Sequence, residues 1–310
     1  MKNARISLTI FTVLFKVATS ITYAQPSYPT NPENAQLVYT DVENFVEAFE
    51  QLKTTTDTLA VLNKYYFDPG TAGLKEYIIK HALTPDMLKN AIAKNPDRYA
   101  KIEGFLANKA VFGTEFNEVM QNFGQILPNA MYPPTYLLVG ANRGIAQASK
   151  VGQLVTVTRV VDNGEKLKKL IVHELAHFQQ ALSMGIEKYG SLYTQKNNML
   201  ALCLREGGAE FVTSLVLNQI TQTKSLGYLT NNESELKLRF IRDLAAQDTK
   251  FWLWESIDDP SAPKLMGYVM GYKICEAYYK KATNEQKALE MILIMPDPES
   301  FLKISGYFKE

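Results

Sequence analysis

The sequence predicts a mainly helical α+β fold: a helical front half packed on a second half that holds a small β-sheet and further helices. Three observations carry this expectation. Apolar residues recur at helical spacing from Thr40 to about Leu127. Residues 131–160 change to β-branched and aromatic runs broken by glycines. Helical spacing returns at about Glu165 and continues almost to the end of the chain. With 310 residues, 46% of them hydrophobic and 21% charged, the chain has the balance of a globular protein with a large core.

Taken in order, residues 1–24 read as a secretory signal. Lys2 and Arg5 form a positive start, Ile6–Phe15 an apolar run, and Thr22-Tyr23-Ala24 a small-residue cleavage site, with Lys16 as the one untidy feature. A ten-residue run is too short to cross a bilayer core of roughly 30 Å. No cysteine follows the run to carry a lipid. The expectation is an exported chain, periplasmic or extracellular, with no membrane span once the signal is removed. Removal takes away three positive charges and shifts the formal net charge from +1 to −2. Such a near-neutral chain has no electrostatic footprint for nucleic acid, and its composition leaves the oligomeric state open.

Residues 25–39, rich in Pro, Asn and Ser, are expected to form an extended lead-in. Helices are expected over DVENFVEAFEQLK with Thr40 as cap, over LKEYIIKHAL, and over PDMLKNAIAK with Thr84 as cap and Pro85 at the first helical position. Two more follow, in DRYAKIEGFLANKA and EFNEVMQNFGQIL. The composition shift near residue 130 divides a helical region, 25–130, from a second region, 131–310, without a linker between them. YPPTYLLVGANRG and VGQLVTVTRVV supply two or three strands. A helix is expected from about Glu165 to Met184, bounded by Asn163-Gly164 and Gly185, and another from about Asn197 to Ile220. Later helices cover roughly 234–246, 264–282, 284–295 and 298–304.

The chemistry lies in residues 170–180, LIVHELAHFQQ. The chain has three histidines, His81, His173 and His177, and two of them stand four apart. On a helix they share a face and can ligate one ion, with Glu174 beside it as a general base. Leu167, Leu170, Ile171, Leu175 and Phe178 give the segment the helical spacing that this needs. The competing reading is a pair of buried core histidines.

Zinc requires a third protein ligand and leaves a fourth position for water. His81 belongs to an unrelated helix and reads as a packing or surface residue. Glu206, in LREGGAEF, lies 29 positions after His177, room for a loop and a second helix. Glycines at 207 and 208 cost about 1 kcal/mol each in a helix, which suits a backbone that must pass close to the first helix or to the ion. Glu210, one turn on, could accept a hydrogen bond from the non-ligating nitrogen of His173, or be a solvated charge. Cys203 is the nearest option for a fourth ligand, which would make the site a closed structural staple. Cys203 and Cys275 are the only cysteines, and their spacing does not show whether they pair.

His173-Glu174-x-x-His177 followed by Glu206-Gly207-x-Ala209 resembles the gluzincin metallopeptidases, the group containing thermolysin and the aminopeptidase N family. The resemblance is closest to small bacterial predicted secreted zinc-dependent peptidases and covers about residues 135–305. It implies a zincin-like fold, one Zn2+ ion, and a peptide or protein substrate held along the edge strand of a sheet formed within residues 136–160. It also implies an oxyanion-stabilising tyrosine in a Tyr-x-x-Gly context: Tyr268, 62 residues after Glu206, with Tyr272 as runner-up. Aminopeptidases of the group carry an acid on the edge strand. The comparable stretch here, Gly140–Gly144, has none and carries Arg143, which favours endopeptidase action or cleavage near a carboxylate. The alternatives are a non-peptidase zinc hydrolase and a catalytically inactive, zinc-stapled binding protein. Asn232 lies in a glycosylation sequon, relevant only in a eukaryotic secretory route.

Overall fold

The computed structural model describes residues 28–194, 198–254, 262–295 and 297–309, so the expected signal lies outside the described residues. The architecture is mainly helical with one small mixed sheet. In the front half, α1 (Thr40–Gln51), α2 (Thr58–Leu62, continued by a π-helical turn, Asn63–Phe67), α3 (Ala72–His81), α4 (Pro85–Lys94), α5 (Pro96–Ala107) and α6 (Lys109–Ile126) follow one another through short connections. Side-chain caps set several of their starts. Thr71 accepts from Leu74 N and Thr84 from Met87 N, with Pro85 at the first helical position as the sequence predicts. Thr40 departs from expectation: it lies inside α1 instead of capping it. The buried Asp41 beside it accepts from the backbone N–H of Thr71 at 2.9 Å, locking α1 to the start of α3.

The sheet has the order β1-β2-β4-β3, from β1 (Leu37–Val38), β2 (Thr135–Leu138), β3 (Ala146–Ser149) and β4 (Gly152–Thr156). β1 and β4 flank β2 in parallel, and β3 pairs antiparallel with β4. The expected lead-in is therefore only partly extended coil. It holds a 3-10 turn at Pro32–Asn34 and supplies β1, a pairing between distant segments that local composition cannot announce. β4 is buried along its whole length, while β3 is half-buried and forms the edge of the sheet. The β3–β4 turn needs glycine at 152, where φ is +138° and a Cβ would stand 2.2 Å from the Pro134 carbonyl oxygen.

Front-half tyrosines hold the β2–β3 connection. Tyr66 donates to the Val139 carbonyl at 2.6 Å, Tyr99 to that of Gly140 at 2.9 Å, and Tyr77 to that of Arg143. The helical half thus anchors the segment that leads into the edge strand.

After the sheet come α7 (Gly164–Met184), α8 (Ile186–Thr194), α9 (Met199–Leu217), α10 (Thr223–Asn231), α11 (Glu233–Ala246), α12 (Met266–Lys280), α13 (Glu285–Ile294) and α14 (Pro298–Ser305). Asn163 caps α7 by accepting from Lys166 N at 2.8 Å, and the chain leaves it at Gly185, φ +87°. α8 and α10 are not foreseen from the sequence. Both are nine residues long with a glycine inside, Gly190 and Gly227, and their intrinsic helix preference is weak.

α9 is buried through most of its length, between α7 on one side and α12 on the other. α9 and α12 run in the same direction, with Cys203 level with Gly267 and Gly208 level with Cys275. That offset separates the two cysteines by roughly 8–12 Å along the axes at 1.5 Å per residue, beyond disulfide reach, and both are free buried thiols. No helix among the described residues is long and apolar enough to cross a membrane.

Candidate metal centre

The middle of α7 places His173 and His177 on one face, with ring centroids 4.6 Å apart and planes near perpendicular. α9 brings Glu206 opposite them. Nε2 of His173 and Nε2 of His177 stand 3.3 and 3.2 Å from the same oxygen, Glu206 Oε2. All three side chains are buried. A small divalent ion about 2.1 Å from each of three tetrahedral donors would set those donors about 3.4 Å apart. The two histidine–carboxylate separations match that spacing and exceed the 2.7–2.9 Å of a charge-assisted hydrogen bond, and all three donor atoms lie within 4.8 Å of one another. The group can therefore hold a metal ion. No fourth Cys, His, Asp or Glu joins it among the described residues. Cys203 lies instead in the α9–α12 seam against Gly267, where burial and then the Glu206 charge push its thiol pKa up.

Polar groups face the outer nitrogens as well. Nδ1 of His173 lies 3.4 Å from Glu210 Oε1, which puts Glu210 beside the nitrogen that the sequence suggests, at ion-pair distance but without hydrogen-bond geometry. Glu210 is itself fixed by Gln222 Nε2 at 3.0 Å, by the Thr221 hydroxyl, and by Lys169 Nζ at 3.8 Å. Nδ1 of His177 meets Gln180 Oε1 at 2.8 Å, and Gln180 Nε2 donates to the Arg205 carbonyl at 2.9 Å. Burial by itself would lower the His173 pKa. Glu206 and Glu210 outweigh it and carry the imidazole up to about 10.

This cluster floors a cleft of about 390 Å³. Its walls include Ala146, Gln147 and Ala148 of the edge strand, Glu174, Arg205, Trp254 and Tyr268. The Tyr268 ring lies parallel to that of His173 at 6.1 Å, and its hydroxyl accepts from Trp254 Nε1 at 2.9 Å. Burial, followed by the Glu206 charge, holds the proton on this phenol by raising its pKa. Tyr272, one turn later on α12, is not among the cleft residues. It packs edge-on against Phe211, with its hydroxyl 3.5 Å from Ser214 Oγ.

One further expectation changes. Arg143 does not line the cleft; its guanidinium donates to the His81 carbonyl at 3.1 Å. His81 packs at 4.5 Å on Tyr77 and against Gly144, as a packing residue. The glycines of α9 serve chiefly its neighbours. A Cβ on Gly207 would stand 2.2 Å from the Gly271 backbone, and one on Gly208 would press on Gln180 at 3.2 Å.

The sequence reading missed Gln180, Arg205 and Trp254. Gln180 was legible, because it lies three residues after His177 and so on the same helical face. Arg205 directly precedes Glu206. Trp254 carried no local signal. No protein-family model, curated protein or solved structure matches this chain.

Proposed function

We propose that this chain is an exported zinc-dependent peptidase of the gluzincin type, acting within peptide chains. The observation that carries the reading is the convergence of His173, His177 and Glu206 on one buried point beneath an open cleft. The donor set of two imidazoles and one carboxylate suits zinc, and three protein ligands are the number that a catalytic site uses. His173, His177 and Glu206 would hold the ion. When bound, zinc supplies an electrophilic centre that acidifies a coordinated water towards pKa ~7 and polarises a carbonyl.

The remaining roles belong to the chain's own residues. Glu174, directly after the first histidine, takes the proton of the attacking water and delivers it to the leaving amine. Tyr268 keeps its phenolic proton: its oxygen accepts from Trp254 and its hydroxyl is hydrogen-bonded to Glu206, so the proton would swing from Glu206 to the developing oxyanion. The edge strand β3 offers main-chain groups along the cleft to which an extended peptide can add as a further strand. That feature favours a peptide over a small ester. The strand side of the cleft consists of Ala146, Gln147 and Ala148, with no acid to capture a free amine, which favours endopeptidase over aminopeptidase action. A zinc staple would call for a fourth protein ligand.

Glu174→Gln tests the assignment. The variant should bind zinc as the natural chain does and cleave a peptide library at least about 10²–10⁴-fold more slowly, the usual contribution of a general base. Peptide cleavage at the natural rate would remove Glu174 from the chemistry. A natural chain that takes up no zinc would end the reading altogether.

A further inference from the structure

Only one oxygen of Glu206 faces the histidines. Oε2 is the atom shared by the two Nε2 nitrogens, whereas Oε1 is occupied by Arg205, whose Nε and Nη2 lie 3.0 and 2.5 Å from it. Both residues are held where they are. The Arg205 side chain is only 17% exposed, the Glu206 side chain 5%, and the Arg205 carbonyl is fixed by Gln180. Beyond the guanidinium, the Trp254 ring lies 5.8 Å from its central carbon. Two donors on one carboxylate oxygen form a charge-assisted pair, stronger than a neutral hydrogen bond, and they compete directly with any cation for that oxygen.

We infer that Arg205 restricts Glu206 to one-oxygen coordination, which keeps the position a second carboxylate oxygen would fill free for solvent or a substrate carbonyl. The inference rests on the metal-site reading above and adds a positioning residue to it. Without the guanidinium, the buried Glu206 carboxylate would keep the Tyr268 hydroxyl but lose the positive charge paired with Oε1, a costly state. The metal ion is then its nearest available cation. Arg205 also sets a positive charge beside the only anionic ligand, so less negative charge reaches the ion.

The test uses cobalt(II) in place of zinc, read by X-ray absorption and visible spectroscopy on the full mature chain, without reference to turnover. The natural chain should show about four nitrogen and oxygen neighbours. Arg205→Met should show about five, with weakened visible bands. Arg205→Lys, which keeps one cationic donor, should return towards the natural spectrum. Arg205→Ala is measured alongside and read in the same way should Arg205→Met not fold. An unchanged neighbour count and spectrum in both neutral variants would overturn the inference. It falls as well if they remain folded but bind no cobalt while Arg205→Lys does, because Arg205 would then hold Glu206 in place instead of limiting it. A natural chain that binds no cobalt would overturn both this inference and the metal reading beneath it, whereas natural binding with unaltered variants sinks the inference alone.

Discussion

Gln180 shows how much one amide can decide. Its nitrogen is committed to the Arg205 carbonyl, which turns its oxygen towards Nδ1 of His177. Nδ1 must then carry the imidazole proton, and Nε2 keeps its lone pair for the side that faces Glu206. The same amide joins α7 to α9 across the site. Replacing it with a residue of similar size and no polar group, Gln180→Leu, should lower zinc affinity about 10–100-fold, the usual weight of a supporting hydrogen bond to a metal-ligating histidine. Competition with a chromophoric chelator would measure this. Affinity within twofold of the natural chain would mean that the tautomer is set by something else.

At the scale of elements, the position of the site depends on how closely α9 and α12 approach. Gly207 and Gly271 let the two backbones touch, and Gly267 leaves room for Cys203 and the Trp252 carbonyl. This seam brings Tyr268 over His173 and points Glu206 towards α7. A Cβ on Gly271 would lie 1.9 Å from the Cys203 carbonyl oxygen, and neither backbone can yield easily. Gly271→Ala should therefore destabilise the fold by about 3 kcal/mol or more, the upper range for an overpacked core, and weaken metal binding as the helices separate. Gly104→Ala is the control. Its Cβ meets nothing within 4 Å, so the helix preference of alanine should leave stability unchanged or raise it by about 0.5–1 kcal/mol. Equal melting temperatures for the two variants would contradict this account of the seam.

For the whole molecule, the charges at the centre make stability depend on pH. Burial alone would raise the Glu210 pKa, but pairing with His173 outweighs it and brings the carboxyl from 4.5 down to about 2. Its contribution is present above pH 4.5 and fades as pH falls towards 2. Glu206 behaves in the same sense: the facing imidazoles overcome the effect of burial and carry it well below 4.5. His173 has the opposite sign. Its pKa rises from 6.5 to about 10, so its contribution is complete below 6.5 and is lost as pH climbs towards 10. The chelated, metal-free protein should thus be most stable between about pH 4.5 and 6.5. Zinc should extend that plateau to higher pH, because metal takes the place of the proton on His173. Thermal denaturation at acidic, near-neutral and alkaline pH, with and without zinc, checks both statements. A metal-free protein that grows steadily more stable up to pH 10 would contradict them.

The sequence by itself determined the parts that local physics controls. The span of α7 follows from its apolar spacing, the Asn163 cap and Gly185. The shared face of His173 and His177 follows from the helical repeat, and the helices after residue 233 follow from their own periodicity. Glu206 was reachable because it lies 29 positions after His177, room for a loop and a second helix, although the two glycines that drew attention to it serve the helix contacts instead. What only the tertiary structure decided is everything that depends on two distant segments meeting. β1 had to find β2 before residues 37–38 could become a strand. The α9–α12 seam had to close before Tyr268, and not Tyr272, could reach the cleft. Arg143 was turned towards His81, and Arg205 took its place beside the centre. Strand register and helix contacts are set by packing between segments far apart in the chain, which leaves no periodic trace in either one.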